Sequence, residues 1–185
     1  MVKKALIILA DGFEEIEAIT AIDILRRAQI EVIVAGLSNR ETRGSHGIKV
    51  STDILLDELK EETSALILPG GSPGAENLAK SPKVASLINK MFKSGKIIGA
   101  ICAAPALVLE PAGVLKGKKA TCFPGMEKLF SREIKFTQEE VVRDGNIITS
   151  RGPGTALAFA LKIVEVLLDK DTAQTLKEKL VAPSR

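Results

Sequence analysis

Cys102 is the residue of this 185-residue sequence with most to offer chemically. It stands in Ile97-Ile98-Gly99-Ala100-Ile101-Cys102-Ala103-Ala104-Pro105-Ala106, where an apolar, strand-like run meets a cysteine and small residues lead into a helical pattern. Ligands of open parallel sheets bind beyond the carboxyl ends of the strands. A tight turn there aims its middle side chain into that crevice, as nucleophile elbows do. A helix starting near Ala103 would point its amide dipoles at the sulfur and favour thiolate. The same window also suits a cysteine used as a small buried hydrophobe, and alone it does not separate the two.

Three further segments are expected on the same rim. Leu68-Pro69-Gly70-Gly71-Ser72-Pro73-Gly74 ends a second apolar run. Its Gly70 and Gly71 allow backbone amides to turn toward a ligand, although a plain tight turn uses the same residues. The Gly71 and Ala103 amides would place two donors around the sulfur, which suits an oxyanion developing on a carbonyl substrate. In Asp11-Gly12-Phe13-Glu14-Glu15-Ile16-Glu17, Glu14 and Glu15 read as ordinary dipole partners of a helix start. Glu17 lies one residue after Ile16 and two before Ile19, close to the apolar face, and is expected to point inward. A buried carboxyl holds its proton to higher pH, and beside Cys102 it could act as general acid or base. Ser150-Arg151-Gly152-Pro153-Gly154-Thr155 reads as a loop before a helix, its Arg151 either tying loops together or meeting a ligand.

Alternating short apolar runs and helical patterns must position these groups, the pattern of parallel strands covered by helices. Strands are expected over 5–9, 31–36, 64–68 and 96–101, with a weaker side hairpin within 44–52. Ile16, Ile19, Ile22 and Leu25 recur at helical spacing, and serve as core or as interface. Ser81-Pro82 starts a helix that closes at Ser94-Gly95. Helical sequence follows over 103–109, a hairpin turns at Asp144-Gly145, and helices run from Gly154-Thr155 to Leu168 and over 172–180. The whole of 1–185 reads as a single α/β domain without linker or repeat.

Composition removes several classes of function. A net charge of +3, with 3% aromatic residues and neither Trp nor Tyr, offers no stacking platform for nucleic acid. No apolar run has membrane-spanning length, and the Ala5–Ala10 run is too short for a signal segment, so a cytoplasmic location is expected. One histidine and no spaced Cys/His set argue against a metal site. His46, in a polar Gly-Ser-His-Gly turn, is expected to be solvated, and Cys122 to be a buried strand-end thiol.

Taken together these segments resemble the DJ-1/PfpI superfamily, specifically its deglycase-like branch, over 4–181. The motifs that carry the resemblance are Leu68-Pro69-Gly70-Gly71, Ala100-Ile101-Cys102-Ala103-Ala104-Pro105 and Thr149-Ser150-Arg151-Gly152-Pro153-Gly154-Thr155, with Glu14-Glu15-Ile16-Glu17 near the start. The resemblance implies a flavodoxin-like three-layer sandwich, usually a homodimer, with Cys102 as an oxidation-prone nucleophile and Glu17 as its protonated partner. It implies Gly71 and Ala103 as amide donors, Gly70 and Arg151 in support, and no cofactor. The activities it implies are cofactor-independent glyoxalase or deglycase chemistry on 2-oxoaldehydes or glycated protein groups. Oxidative-stress sensing with chaperone-like holding is the alternative. Peptidases of the superfamily follow the cysteine with histidine, where this chain has Ala103, and the animal branch often has histidine where this chain has Phe123; proteolysis and a Cys-His dyad are therefore disfavoured.

Overall fold

The computed structural model describes residues 3–183. Its centre is a seven-stranded sheet. β1 (Lys4–Leu9), β2 (Glu31–Gly36), β6 (Ala65–Leu68) and β7 (Ile97–Ile101) run parallel, and β11 (Ile147–Ser150) joins them beside β7. The strand order is β10-β11-β7-β6-β1-β2-β5, with β5 (Ile54–Leu55) at one edge and β10 (Val141–Asp144) at the other. β10 is the antiparallel strand, and its turn to β11 is Gly145-Asn146, one residue later than the expected Asp144-Gly145. The side hairpin forms from β3 (Glu41–Arg43) and β4 (Lys49–Ser51). A small pair, β8 (Lys119–Ala120) and β9 (Lys135–Phe136), lies apart from the main sheet.

A central parallel strand is covered on both faces, so its sequence is continuously apolar rather than alternating. Residues 5–9 and 65–68 are accordingly all buried. Helix α1 (Glu15–Arg27) packs with α4 (Ala156–Leu167) over one face. Gly99 in β7 makes that approach possible: a Cβ there would stand 2.9 Å from Cζ of Phe159 on α4. On the opposite side α3 (Pro82–Lys93) buries Val84, Ile88 and Met91, preceded by the short α2 (Gly74–Ala79). Ser81 caps α3 by accepting the Val84 N–H at 3.4 Å, and Pro82 occupies its first turn. α5 (Lys170–Lys179) closes the described chain against α4.

The helical sequence expected over 103–109 does form a helical segment, but of an unusual kind. Residues Pro105–Leu109 form a single π-helical turn instead of a regular α-helix. The ambiguity over the Ile16–Leu25 face also resolves: Ile22, Ile24 and Leu25 are core, whereas Ile16 and Ile19 are exposed. The chain passes from β1 to β2 on one side of the sheet and returns to β6 on the other. β1 and β6 therefore flank the switch point where open α/β sheets hold ligands.

Candidate active site

Three strand ends meet at that switch point.

Cys102 follows β7 directly and has φ +64°, the left-handed region that non-glycine residues rarely occupy. The conformation is held from both sides. The Cys102 N–H donates to the Ser150 carbonyl at 2.9 Å, and the Cys102 carbonyl accepts the Phe123 N–H at 2.8 Å. An elbow pinned by two neighbouring segments sustains a strain of roughly 1–2 kcal/mol and sets the direction of the sulfur. The residue is 9% exposed.

Glu17 sits in the first turn of α1 and is 1% exposed. Its Oε2 accepts the Gly70 N–H at 2.8 Å, while its Oε1 is buried without a hydrogen-bond partner. The carboxyl group adjoins Cys102 closely enough to share a hydrogen bond with the thiol. Gly70 permits this meeting. A Cβ on Gly70 would stand 2.7 Å from the Cys102 Cβ, 2.9 Å from Glu17 Oε2 and 3.0 Å from the Ala103 N. Gly71 has φ +90° and lies against Gly12 and Glu14, and its amide, with that of Ala103, favours charge on the Cys102 sulfur.

Burial dominates the electrostatics. It pushes the Glu17 carboxyl up to about 7, against the opposing hydrogen bonds from Gly70 and Cys102, with the Glu14 charge adding to the rise. Burial also pushes the Cys102 thiol up to about 12, helped by the Glu17 charge and opposed by the Gly71 and Ala103 amides. The expectation of a thiol acidified by a helix dipole is therefore corrected. The helical segment that begins just after Cys102 presents the Ala103 amide, but two amides do not outweigh burial and an adjacent carboxylate. Each group perturbs the other, so their titrations are coupled. A proton on Glu17 removes the charge that opposes thiolate and leaves a donor beside the sulfur.

Arg151 is engaged by its own loop neighbours. Its guanidinium donates to the Gln138 carbonyl at 3.3 Å and lies near Cys122, which matches the loop-tying alternative. Cys122 is fully buried with a free thiol, pushed up to about 12 by burial, then by Glu127. Phe123 is half exposed, and its ring lies over Gly152, where a Cβ would meet Cδ2 at 3.3 Å.

Glu15, expected as a plain dipole partner of the helix start, does more in the structure. Its Oε1 accepts the His46 N–H at 2.7 Å and the Ile48 N–H at 3.4 Å, which pins the β3–β4 hairpin to the start of α1. The His46 ring is exposed as expected but is not free, since Nδ1 lies 2.9 Å from Glu15 Oε2. No sequence signal for that pairing existed, because 31 residues separate the partners.

A family model for the DJ-1/PfpI family matches residues 3–166. The chain is 52% identical over 163 residues to DJ-1 homolog B of Arabidopsis thaliana, covering 86% of this chain and 37% of that protein. It thus spans well under half the length of that plant relative. It is 37% identical over 180 residues to a protein of Caenorhabditis elegans named glutathione-independent glyoxalase DJR-1.2, covering 96% of each. Among solved structures, oxidized Toxoplasma gondii DJ-1 superposes with a TM-score of 0.95 at 37% identity, over 99% of this chain and all of that one. On its fold, its strand-end cysteine and these similarities, the chain belongs to the DJ-1/PfpI family.

Proposed function

We propose that this protein is a cysteine-dependent, cofactor-independent glyoxalase that converts 2-oxoaldehydes to 2-hydroxy acids, with the same aldehydes' early adducts on protein groups as further substrates. The observation that carries this reading is the enclosed pair of Glu17 and Cys102, with the Gly71 and Ala103 amides around the sulfur. Similarity to a relative named a glutathione-independent glyoxalase supports it.

The chemistry closes without a redox partner. The Glu17 carboxylate takes the thiol proton as the sulfur adds to the aldehyde carbon. The resulting oxyanion is steadied by the amides and receives that proton, giving a hemithioacetal. Glu17 then removes the hydrogen from C1, forming an enediolate, and returns a proton to C2, which leaves a 2-hydroxyacyl thioester. Water releases the 2-hydroxy acid and the thiol. One carbon is oxidised and its neighbour reduced, so the sum is aldehyde plus water. A carboxyl group near 7 suits both proton transfers at neutral pH.

The test is lactate formation from methylglyoxal by purified wild type, Cys102→Ser and Glu17→Gln. Production by wild type and loss in both variants supports the proposal; no lactate from wild type overturns it. A second reading, a redox sensor with chaperone-like holding, is favoured by the likeness to a relative solved in an oxidized state and by the carboxyl donor beside the sulfur. Selective addition of two oxygens at Cys102 under mild peroxide, with no turnover of methylglyoxal, would establish it instead.

A second copy of the chain is the proposed partner. Ile16, Ile19 and Ile48 are 55%, 42% and 56% exposed; Ile16 and Ile19 lie one turn apart on α1, and the bond from the Ile48 N–H to Glu15 docks the hairpin at the start of that helix. Among the described residues no helix is long and apolar enough to cross a membrane, and the two free thiols suit the reducing cytoplasm proposed as the location.

A further inference from the structure

Outside the sulfur site, one set of side chains converges from two separate segments. Glu14 and Glu15 enter from the start of α1, and Ser45 and His46 from the turn between β3 and β4. Glu15 Oε2 lies 2.9 Å from His46 Nδ1 and Glu14 Oε2 lies 3.7 Å from it. Ser45 Oγ stands 3.4 Å from Glu14 Oε2, 3.2 Å from Glu15 Oε2 and 3.0 Å from His46 Nδ1. We propose that Glu14, Glu15 and His46, with Ser45 at the fourth corner, form a binding site for a tetrahedral divalent cation of the zinc type.

Two independent features support this. The first is geometric. Zinc bonds of about 2.0–2.1 Å imply ligand-to-ligand edges of about 3.3 Å in a tetrahedron, and five edges of this set span 2.9–3.7 Å. The donor types, two carboxylate oxygens and one imidazole nitrogen, fit a borderline cation better than calcium or magnesium, which take six or more oxygens. The other oxygen of Glu15 is occupied by the His46 and Ile48 amides, so its Oε2 is held facing the site by backbone.

The second feature is charge. The side chains of Glu14 and Glu15 are 11% and 6% exposed, and their shared partner is one histidine, 72% exposed. Among the described residues no lysine or arginine comes within 4 Å of either carboxylate. The amides at the start of α1 offset part of this charge, and a dication would offset the rest.

The protein has a single histidine and neither Trp nor Tyr, so the imidazole protons of His46 report on the site directly by proton NMR. The experiment titrates zinc into folded Cys102→Ser/Cys122→Ser protein, which removes competing thiols. Expected is a saturable shift of the His46 resonances at micromolar zinc. Cobalt substitution should give visible bands of tetrahedral intensity without sulfur charge transfer. Glu14→Gln should weaken binding at least tenfold. Its carboxylate accepts the long Ser45 bond and stands 3.7 Å from His46 Nδ1, so this variant keeps the hairpin contacts made by Glu15. His46 resonances that stay in place up to millimolar zinc, or zinc binding unchanged in Glu14→Gln, would overturn the proposal.

Discussion

Gly70 and Cys102 pack so closely that a methyl group on the glycine would stand 2.7 Å from the cysteine Cβ. The same methyl would press on Glu17 Oε2 and the Ala103 nitrogen; the backbone and the cysteine Cβ are fixed, so the carboxyl end of Glu17 is what must move. Gly70→Ala is therefore expected to separate the carboxyl from the thiol while the core stays intact. Turnover of methylglyoxal should fall by two orders of magnitude or more, and the urea midpoint should report a loss of about 1–3 kcal/mol. Unchanged turnover would mean that the Glu17–Cys102 contact is not used in the reaction.

Glu17 carries a pH signature in stability. Its carboxyl is raised from 4.5 to about 7 in the fold, so folding takes up a proton. The stabilisation this provides is complete below about pH 4.5 and is lost as pH rises through 7. Two and a half pH units correspond to about 3 kcal/mol at most. Glu17→Gln keeps a buried neutral group and an acceptor for the Gly70 N–H, so its stability should be flatter between pH 5 and 8 and exceed that of wild type at pH 8. Chemical denaturation across that range measures it, and parallel curves for the two proteins would contradict the assignment.

The same substitution should have opposite effects on two reactions of Cys102. The Glu17 charge and hydrogen bond both push the thiol upward, so removing them lets thiolate form at lower pH. Glu17→Gln should therefore alkylate faster than wild type at pH 8. It should nevertheless fail to turn over methylglyoxal, because no base remains for C1. Slower alkylation would show that the carboxyl assists thiolate formation in the resting protein.

Much of this arrangement was legible in the sequence because it rests on local rules. The strand at 31–36 and the helix starting at Ser81-Pro82 follow from apolar runs, capping residues and proline placement, and both are found as expected. Glu17 was recognisable as inward-facing from its spacing to Ile16 and Ile19. What escaped was set by distant partners. The left-handed φ of Cys102 is imposed by Ser150 and Phe123, and the roles of Glu15 and His46 depend on a hairpin docking against α1. The upward shift of the thiol was hidden for the same reason: its leading causes are burial and a carboxylate 85 positions away in the chain, and they outweigh the amides at the helix start, the only cue near Cys102.

The exposed trio of Ile16, Ile19 and Ile48 predicts a self-association that charge should break. An Ile16→Glu substitution places a carboxylate in the middle of the apolar face while leaving the core side of α1, Ile22, Ile24 and Leu25, untouched. By sedimentation, wild type is expected as a dimer and the variant as a folded monomer with unchanged far-UV circular dichroism. A variant that remains dimeric would place the interface elsewhere.

The strain at Cys102 makes a last prediction that separates backbone from chemistry. At φ +64° a side chain is disfavoured and glycine is not. Cys102→Ala and Cys102→Gly both remove the sulfur and should both be inactive toward methylglyoxal. They should differ in stability: alanine keeps the strain, whereas glycine relieves it at the cost of greater freedom in the unfolded chain. The net expectation is that Cys102→Gly unfolds at higher urea than Cys102→Ala, by on the order of 1 kcal/mol. An alanine variant as stable as the glycine one would show that the elbow is not strained, and that Ser150 and Phe123 merely accompany a conformation the chain adopts freely.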